Sequence, residues 1–112
     1  MHIVPVIDLL NGQVVHARAG RRDEYQPLQT RLAKSCRPED VLEGLLAEYG
    51  FGSVYIADLN AITDGSCQIV ELNRLREEFS DIEIWLDAGT RTIDVCENLD
   101  RVRPVFGSET GF

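Results

Sequence analysis

Four apolar runs, each closed by an acid or a small polar residue, set the rhythm of the chain. HIVPVIDL at 2–9 runs up to Asp8, SVYIADL at 53–59 to Asp58, IEIWLDAGT at 82–90 to Asp87, and RPVFGSET at 103–110 to Gly107 and Ser108. Near-continuous apolar runs of this length predict strands near 2–9, 53–59, 82–87 and 103–107, covered on both faces as in a parallel sheet. Pro5 interrupts the first run, because a proline has no N–H for the ladder.

Between the runs the period changes to that of a helix. In RPEDVLEGLLAEYG, Pro38 suits a first helical turn and Glu39 and Asp40 complement its dipole. Val41, Leu42, Leu45, Leu46 and Tyr49 form one face, and Gly50 stops a helix over 38–49. Residues 66–79 place Ile69, Leu72, Leu75 and Phe79 on a stripe behind Ser66 as a candidate cap. Thr92 is a second candidate cap, ahead of a short helix over 93–101 carrying Ile93, Cys96 and Leu99.

The order βαβαβαβ predicts an α/β fold with a parallel sheet and right-handed crossovers, in a single unit over 1–112. No Pro/Gly/Ser-rich linker interrupts it. One connection is out of proportion, because 10–34 far exceeds the usual two to six residues between strand and helix, and such loops carry function. Within it QVVHARA alternates, with Val14, His16 and Arg18 on one side and Val15, Ala17 and Ala19 on the other, as in a short extended arm.

Composition removes several function classes. Nineteen acidic against eleven basic side chains give a formal charge of -8, which repels phosphate backbones and argues against nucleic-acid binding. Arg18, Arg21 and Arg22 are bunched after the first strand; they read either as bidentate forks for a phosphate or as a solvated loop. Cys36, Cys67 and Cys96 lie far apart with no CxxC, and no secretory leader pattern precedes the first strand, so reduced thiols in a cytoplasmic protein are expected. His2 and His16 give no imidazole cluster for a metal, no cofactor motif is present, and no apolar run approaches the roughly 20 residues needed to span a bilayer.

In parallel α/β folds ligand chemistry collects at the carboxyl ends of the strands, where Asp8, Asp58, Asp87 and Ser108 fall. Any one of them also suits a turn. As a group, the three acids can shift one another's pKa and act as acid and base, or hold a divalent cation, and the residues alone leave both open.

VPVIDLLNGQVV followed by Gly20, then YIADLNAI, AGTR and VFGSE, resembles the N-terminal half of the histidine-biosynthesis isomerase that acts on phosphoribosylformimino-aminoimidazole carboxamide ribotide, a (β/α)8 barrel. The resemblance implies that Asp8 is one of two acid–base residues in an Amadori rearrangement of an aminoaldose to an aminoketose, its partner lying on a fifth strand outside this chain. It implies a phosphate seat at Gly89, Thr90, Arg91, Gly107 and Ser108, built from backbone N–H groups. The candidate substrate contacts are His16 and Arg18 on the arm, where the family places a substrate-facing Arg, and Asp58 and Asp87 at the strand ends.

Two departures mark a divergent relative. LDAGTR stands where the family usually reads VGGGIR, so Asp87 and Ala88 replace two glycines, and a carboxylate there repels phosphate by roughly a kcal/mol at partly screened distances. VVHARAG puts His16 in place of a substrate-facing Arg, for which Arg18 substitutes only if the arm changes register.

A closed barrel takes roughly 200 residues at least, so 112 supply about half. Open edges on the first and fourth strands then favour a homodimer or a missing C-terminal half-barrel. The resemblance implies a phosphorylated aminosugar as the parent's substrate and an isolated chain without activity; a metal-assisted enzyme of other chemistry and a non-catalytic assembly module are the alternatives.

Overall fold

The computed structural model describes residues 3–18, 21–27 and 33–105, as backbone only over 16–18 and 21–27. In chain order the elements are β1 (Val6–Leu10), β2 (Gln13–Arg18), β3 (Arg21–Pro27), α1 (Pro38–Tyr49), β4 (Ser53–Asp58), α2 (Leu59–Asp64), α3 (Ile69–Glu78), β5 (Glu83–Asp87), a 3₁₀ turn over Gly89–Arg91, α4 (Thr92–Asn98) and β6 (Val102–Pro104). The strands form one sheet in the order β3-β2-β1-β4-β5-β6. β1, β4, β5 and β6 run parallel. This is an α/β fold with the mostly parallel, alternating arrangement of half a (β/α)8 barrel.

β2 and β3 are antiparallel additions, in the segment expected to be a long loop with a short arm. Their origin is the dipeptide Asn11-Gly12, whose φ angles of 52° and 78° make a two-residue turn between the paired residues Leu10 and Gln13. Both central residues of such a hairpin turn need positive φ, which Asn-Gly supplies at least cost. The outer edge of β1 is therefore paired to β2 from Asp8 to Leu10, rather than open as expected. The β2–β3 pairing is irregular between Ala17 and Arg18, where the partner changes from Tyr25 to Arg21 and the extra residues fall on β3.

The core lies on one side of the sheet. Ile7, Leu9, Val14, Val54, Ile56, Ile84, Leu86 and Val102 pack with Val41 and Leu42 of α1, Leu72 and Leu75 of α3 and Val95 of α4. Full burial of a Leu or Ile contributes about 1.5–3 kcal/mol, so these contacts dominate the fold.

α1 begins at Pro38, whose missing N–H would lack a partner there anyway, and ends at Gly50, which takes φ 69° and donates its N–H to the Leu46 carbonyl. Tyr49, placed on the buried face by periodicity, is 54% exposed. Ile69 and Ile93 are likewise exposed, and Thr92 and Val95 take the inward positions of α4. Each of the three outward residues sits in a terminal turn of its helix.

Three helix starts also differ from expectation. SVYIADL does not end in strand at Leu59, because Asp58 caps α2 by accepting the Ala61 N–H at 3.2 Å. Gly65, in the left-handed region, then stops α2. α3 starts after Gln68 instead of Ser66, and Thr92 is the first residue of α4 instead of its cap.

Candidate functional site

The parallel registers decide which strand-end residues share a face. Asp8 pairs with Ala57, and Ala57 with Asp87, so the three form one row across β1, β4 and β5 near the carboxyl ends. Paired residues point to the same side, and two strand spacings separate the outer Cα atoms by about 9–10 Å. One layer lower, Val6, Tyr55, Trp85 and Arg103 form a second row on that side. None of these side chains belongs to the core cluster. They line the face away from the helices, which in a closed barrel is the interior.

Within the row the two acids differ in surroundings. Asp8 is half-buried. Asp87 is 4% exposed; its Oδ1 accepts the Gly89 N–H at 3.0 Å and its Oδ2 accepts the Tyr55 hydroxyl at 3.4 Å. Ala57 between them has only a methyl group and is itself buried.

Asp58 is one residue past Ala57 and therefore faces the helices. It is completely buried and holds three N–H donors: Ala61 on Oδ1, the Gln68 backbone on Oδ2 at 2.7 Å and Gln68 Nε2 on Oδ1 at 2.6 Å. The three acids thus divide between two faces. Among the described residues no group of three His, Cys, Asp or Glu is placed to hold a metal ion, so the cation site conceived from Asp8, Asp58 and Asp87 is not assembled.

The loop after β5 satisfies much of its own backbone. The Ala88 N–H goes to Thr92 Oγ1 at 2.8 Å, the Gly89 N–H to Asp87, and the Arg91 N–H to the Ala88 carbonyl. Thr92 Oγ1 in turn donates to the Gly89 carbonyl at 2.8 Å. Gly89 is required twice, by φ 61° and by the Ile62 Cα, which would lie 3.2 Å from an added Cβ. An anion arriving here competes with the Asp87 carboxylate for the Gly89 N–H. Thr90 is exposed beside it, and Arg91 lies near the Cys67 thiol.

Cys67 and Arg91 line a cavity of about 120 Å³ together with Ile69, Asp94, Val95 and Asn98, none of which belongs to the Asp8 row. Burial, followed by the charge of Asp58, pushes the Cys67 thiol up, and burial does the same to Cys96. All three cysteines are free. His16 and Arg18 lie on the backbone of β2, whereas Gly107 and Ser108 lie outside the described residues.

Three residues went unremarked in the sequence. Tyr55 reaches Asp87, Gln68 reaches Asp58, and Asn60 exchanges hydrogen bonds with Asn11, its Nδ2 donating to Asn11 Oδ1 and its Oδ1 accepting the Asn11 N–H. Asn11-Gly12 was a legible signal for the hairpin. The partners of Gln68 were not, since they are 10 and 59 residues away.

The family described as "Histidine biosynthesis protein" matches residues 2–108. An uncharacterized protein of Methanocaldococcus jannaschii is 33% identical over 98% of this chain and 49% of its own length. The chain thus spans about half the length of that relative.

Proposed function

Since the chain belongs to the histidine biosynthesis protein family, we propose that it supplies one half of the active face of a sugar-phosphate isomerase, with Asp8 as an acid–base residue. The observation that carries this reading is the row Asp8–Ala57–Asp87 at the carboxyl ends of parallel strands, on the face away from the helices. That is where folds of this kind collect their chemistry. The reaction is an aldose–ketose (Amadori) isomerisation of a phosphorylated aminosugar. A proton delivered to the ring oxygen opens the ring to an imine, loss of the C2 proton gives an enolamine, and reprotonation with tautomerisation gives the aminoketose. Two groups of opposite protonation state are needed, and Asp8 is one of them.

The second acid–base group comes from the complementary half, either a C-terminal half-barrel or a second copy, and the isolated chain turns over no substrate. His16 and Arg18, on the backbone of β2, are the arm's candidate substrate contacts. Gly89, Thr90 and Arg91, with Gly107 and Ser108, form the phosphate end, weakened by the Asp87 carboxylate on the Gly89 N–H.

Titration with ribose 5-phosphate, followed by backbone amide shifts, tests the reading. Shifts are expected at 8–10, 57 and 87–91, reduced by Asp8→Asn near residue 8. A saturating titration that leaves all of these residues unmoved overturns it.

A further inference from the structure

The carboxyl end of β1 carries a polar clamp centred on Gln68. Where β4 leaves the sheet for α2, the Leu9 carbonyl accepts its hydrogen bond from Gln68 Nε2 at 2.9 Å. The same Nε2 donates to Asp58 Oδ1 at 2.6 Å, and Gln68 Oε1 accepts the Gly12 N–H, in the hairpin turn, at 2.6 Å. One nearly buried side chain therefore binds the residue after Asp8, the turn that launches β2 and the cap of α2. Asn60 completes the hold by exchanging hydrogen bonds with Asn11 at 2.7 and 2.8 Å.

A hairpin with a two-residue turn needs no such attachment to form. Its own ladder sets the register, and a buried carboxamide is costly unless every polar atom is paired. The bonds instead fix the hairpin relative to the parallel sheet. We propose that Gln68, oriented by Asp58, is a positioning residue that holds Asp8 and the β2 arm in a single relative geometry. The inference rests on the assignment of Asp8 as the acid–base residue. It adds that the geometry around Asp8 is set from the opposite face of the sheet.

The amide is required chemically, because one end must donate to Asp58 and to the Leu9 carbonyl while the other accepts from Gly12. Gln68→Glu keeps the acceptor and puts a second carboxylate against Asp58. Two carboxylates in contact retain one shared proton at higher pH than either alone, and that proton restores a donor. The other titratable or charged groups nearby are Glu71 of α3, close to Gly12, and the Cys67 thiol with Arg91 and Asp94 beside it.

Amide exchange at Gly12 and the carboxyl ¹³C titration curve of Asp8 test the proposal in the full chain. In Gln68→Met, protection of Gly12 is expected to fall about tenfold or more at every pH, since its bond to a buried acceptor is lost. The Asp8 curve should move as well, while Leu72 and Leu75 amides stay protected. In Gln68→Glu the loss at Gly12 is expected near neutrality and should reverse on acidification. Should Gln68→Met fail to fold, Asn60→Ala opens the same turn from its exposed side, with a smaller loss at Gly12 and an Asp8 curve displaced in the same sense as in Gln68→Glu at neutral pH.

An unchanged Asp8 curve in either folded variant, or a Gln68→Glu profile with no pH dependence, overturns the proposal. A wild-type chain whose amides ignore ribose 5-phosphate counts against the isomerase reading alone, because neither readout here requires ligand.

Discussion

At the scale of single residues, three aspartates that end similar apolar runs acquire different roles through parity. Asp8 and Asp87 share the face away from the helices, while Asp58, one position further along its strand than Ala57, turns into the helix layer and caps α2. That strand-end acids mark the carboxyl edge was legible in the sequence. Their facing was not, because a helix starting directly at Leu59 gives no turn residue to reveal where β4 stops. Removing Asp58 leaves three N–H donors without an acceptor in a site closed to water. Asp58→Ala is therefore expected to cost about 2–4 kcal/mol, read as a lower urea midpoint. At Asp87 the expected change is a gain. Asp87→Asn keeps an oxygen for the Gly89 N–H but removes the charge that repels an anion. The affinity of the 87–91 loop for inorganic phosphate should rise roughly fivefold by amide-shift titration, matching about a kcal/mol of relieved repulsion.

Among the elements, α1, α3, α4 and the parallel strands followed from period whereas α2 did not, and α1 shows where end residues help: Pro38, Glu39, Asp40 and Gly50 each act locally. The hairpin was hidden by its strands. ARAGRRDEYQ is too polar to read as sheet, and only Asn11-Gly12 signals the reversal. At the other edge β6 is three residues long, and its pairing with β5 is reinforced by charge. Glu83 accepts from the Trp85 indole N–H at 2.6 Å and pairs with the Arg103 guanidinium. These contacts, Trp85 first, hold the Glu83 carboxyl below its ordinary value of 4.5. A carboxyl with a depressed folded pKa stabilises fully above its unfolded pKa, and the contribution disappears as pH falls through the folded value. The group is open to solvent, so the effect is small and weakens in salt. Trp85 fluorescence should change as pH drops below 4.5 in wild type, and that transition should be missing from Glu83→Gln.

For the molecule as a whole, the two faces of the sheet are unequal. The helix side is closed over Leu9, Ile56 and Leu86, none with any exposure, while on the other side Val6 is 69% and Trp85 38% exposed. Val6 and Trp85 share a row with Tyr55 and Arg103, so the exposed apolar surface is contiguous across three strands. The outer strands of the sheet are β3, whose sequence RRDEYQP is rich in charge, and β6, three residues ending in a proline, and both are poor templates for further strand pairing. Association is therefore expected through the row of Val6 and Trp85 more than by joining ladders. Sedimentation of the chain alone should show a mass that rises above 12.6 kDa with concentration. Val6→Asp, which puts a charge into the apolar row without touching the core, should return it to monomer and leave the urea midpoint measured at low concentration in place. A mass of 12.6 kDa throughout the micromolar range in wild type would show that the row is tolerated in water.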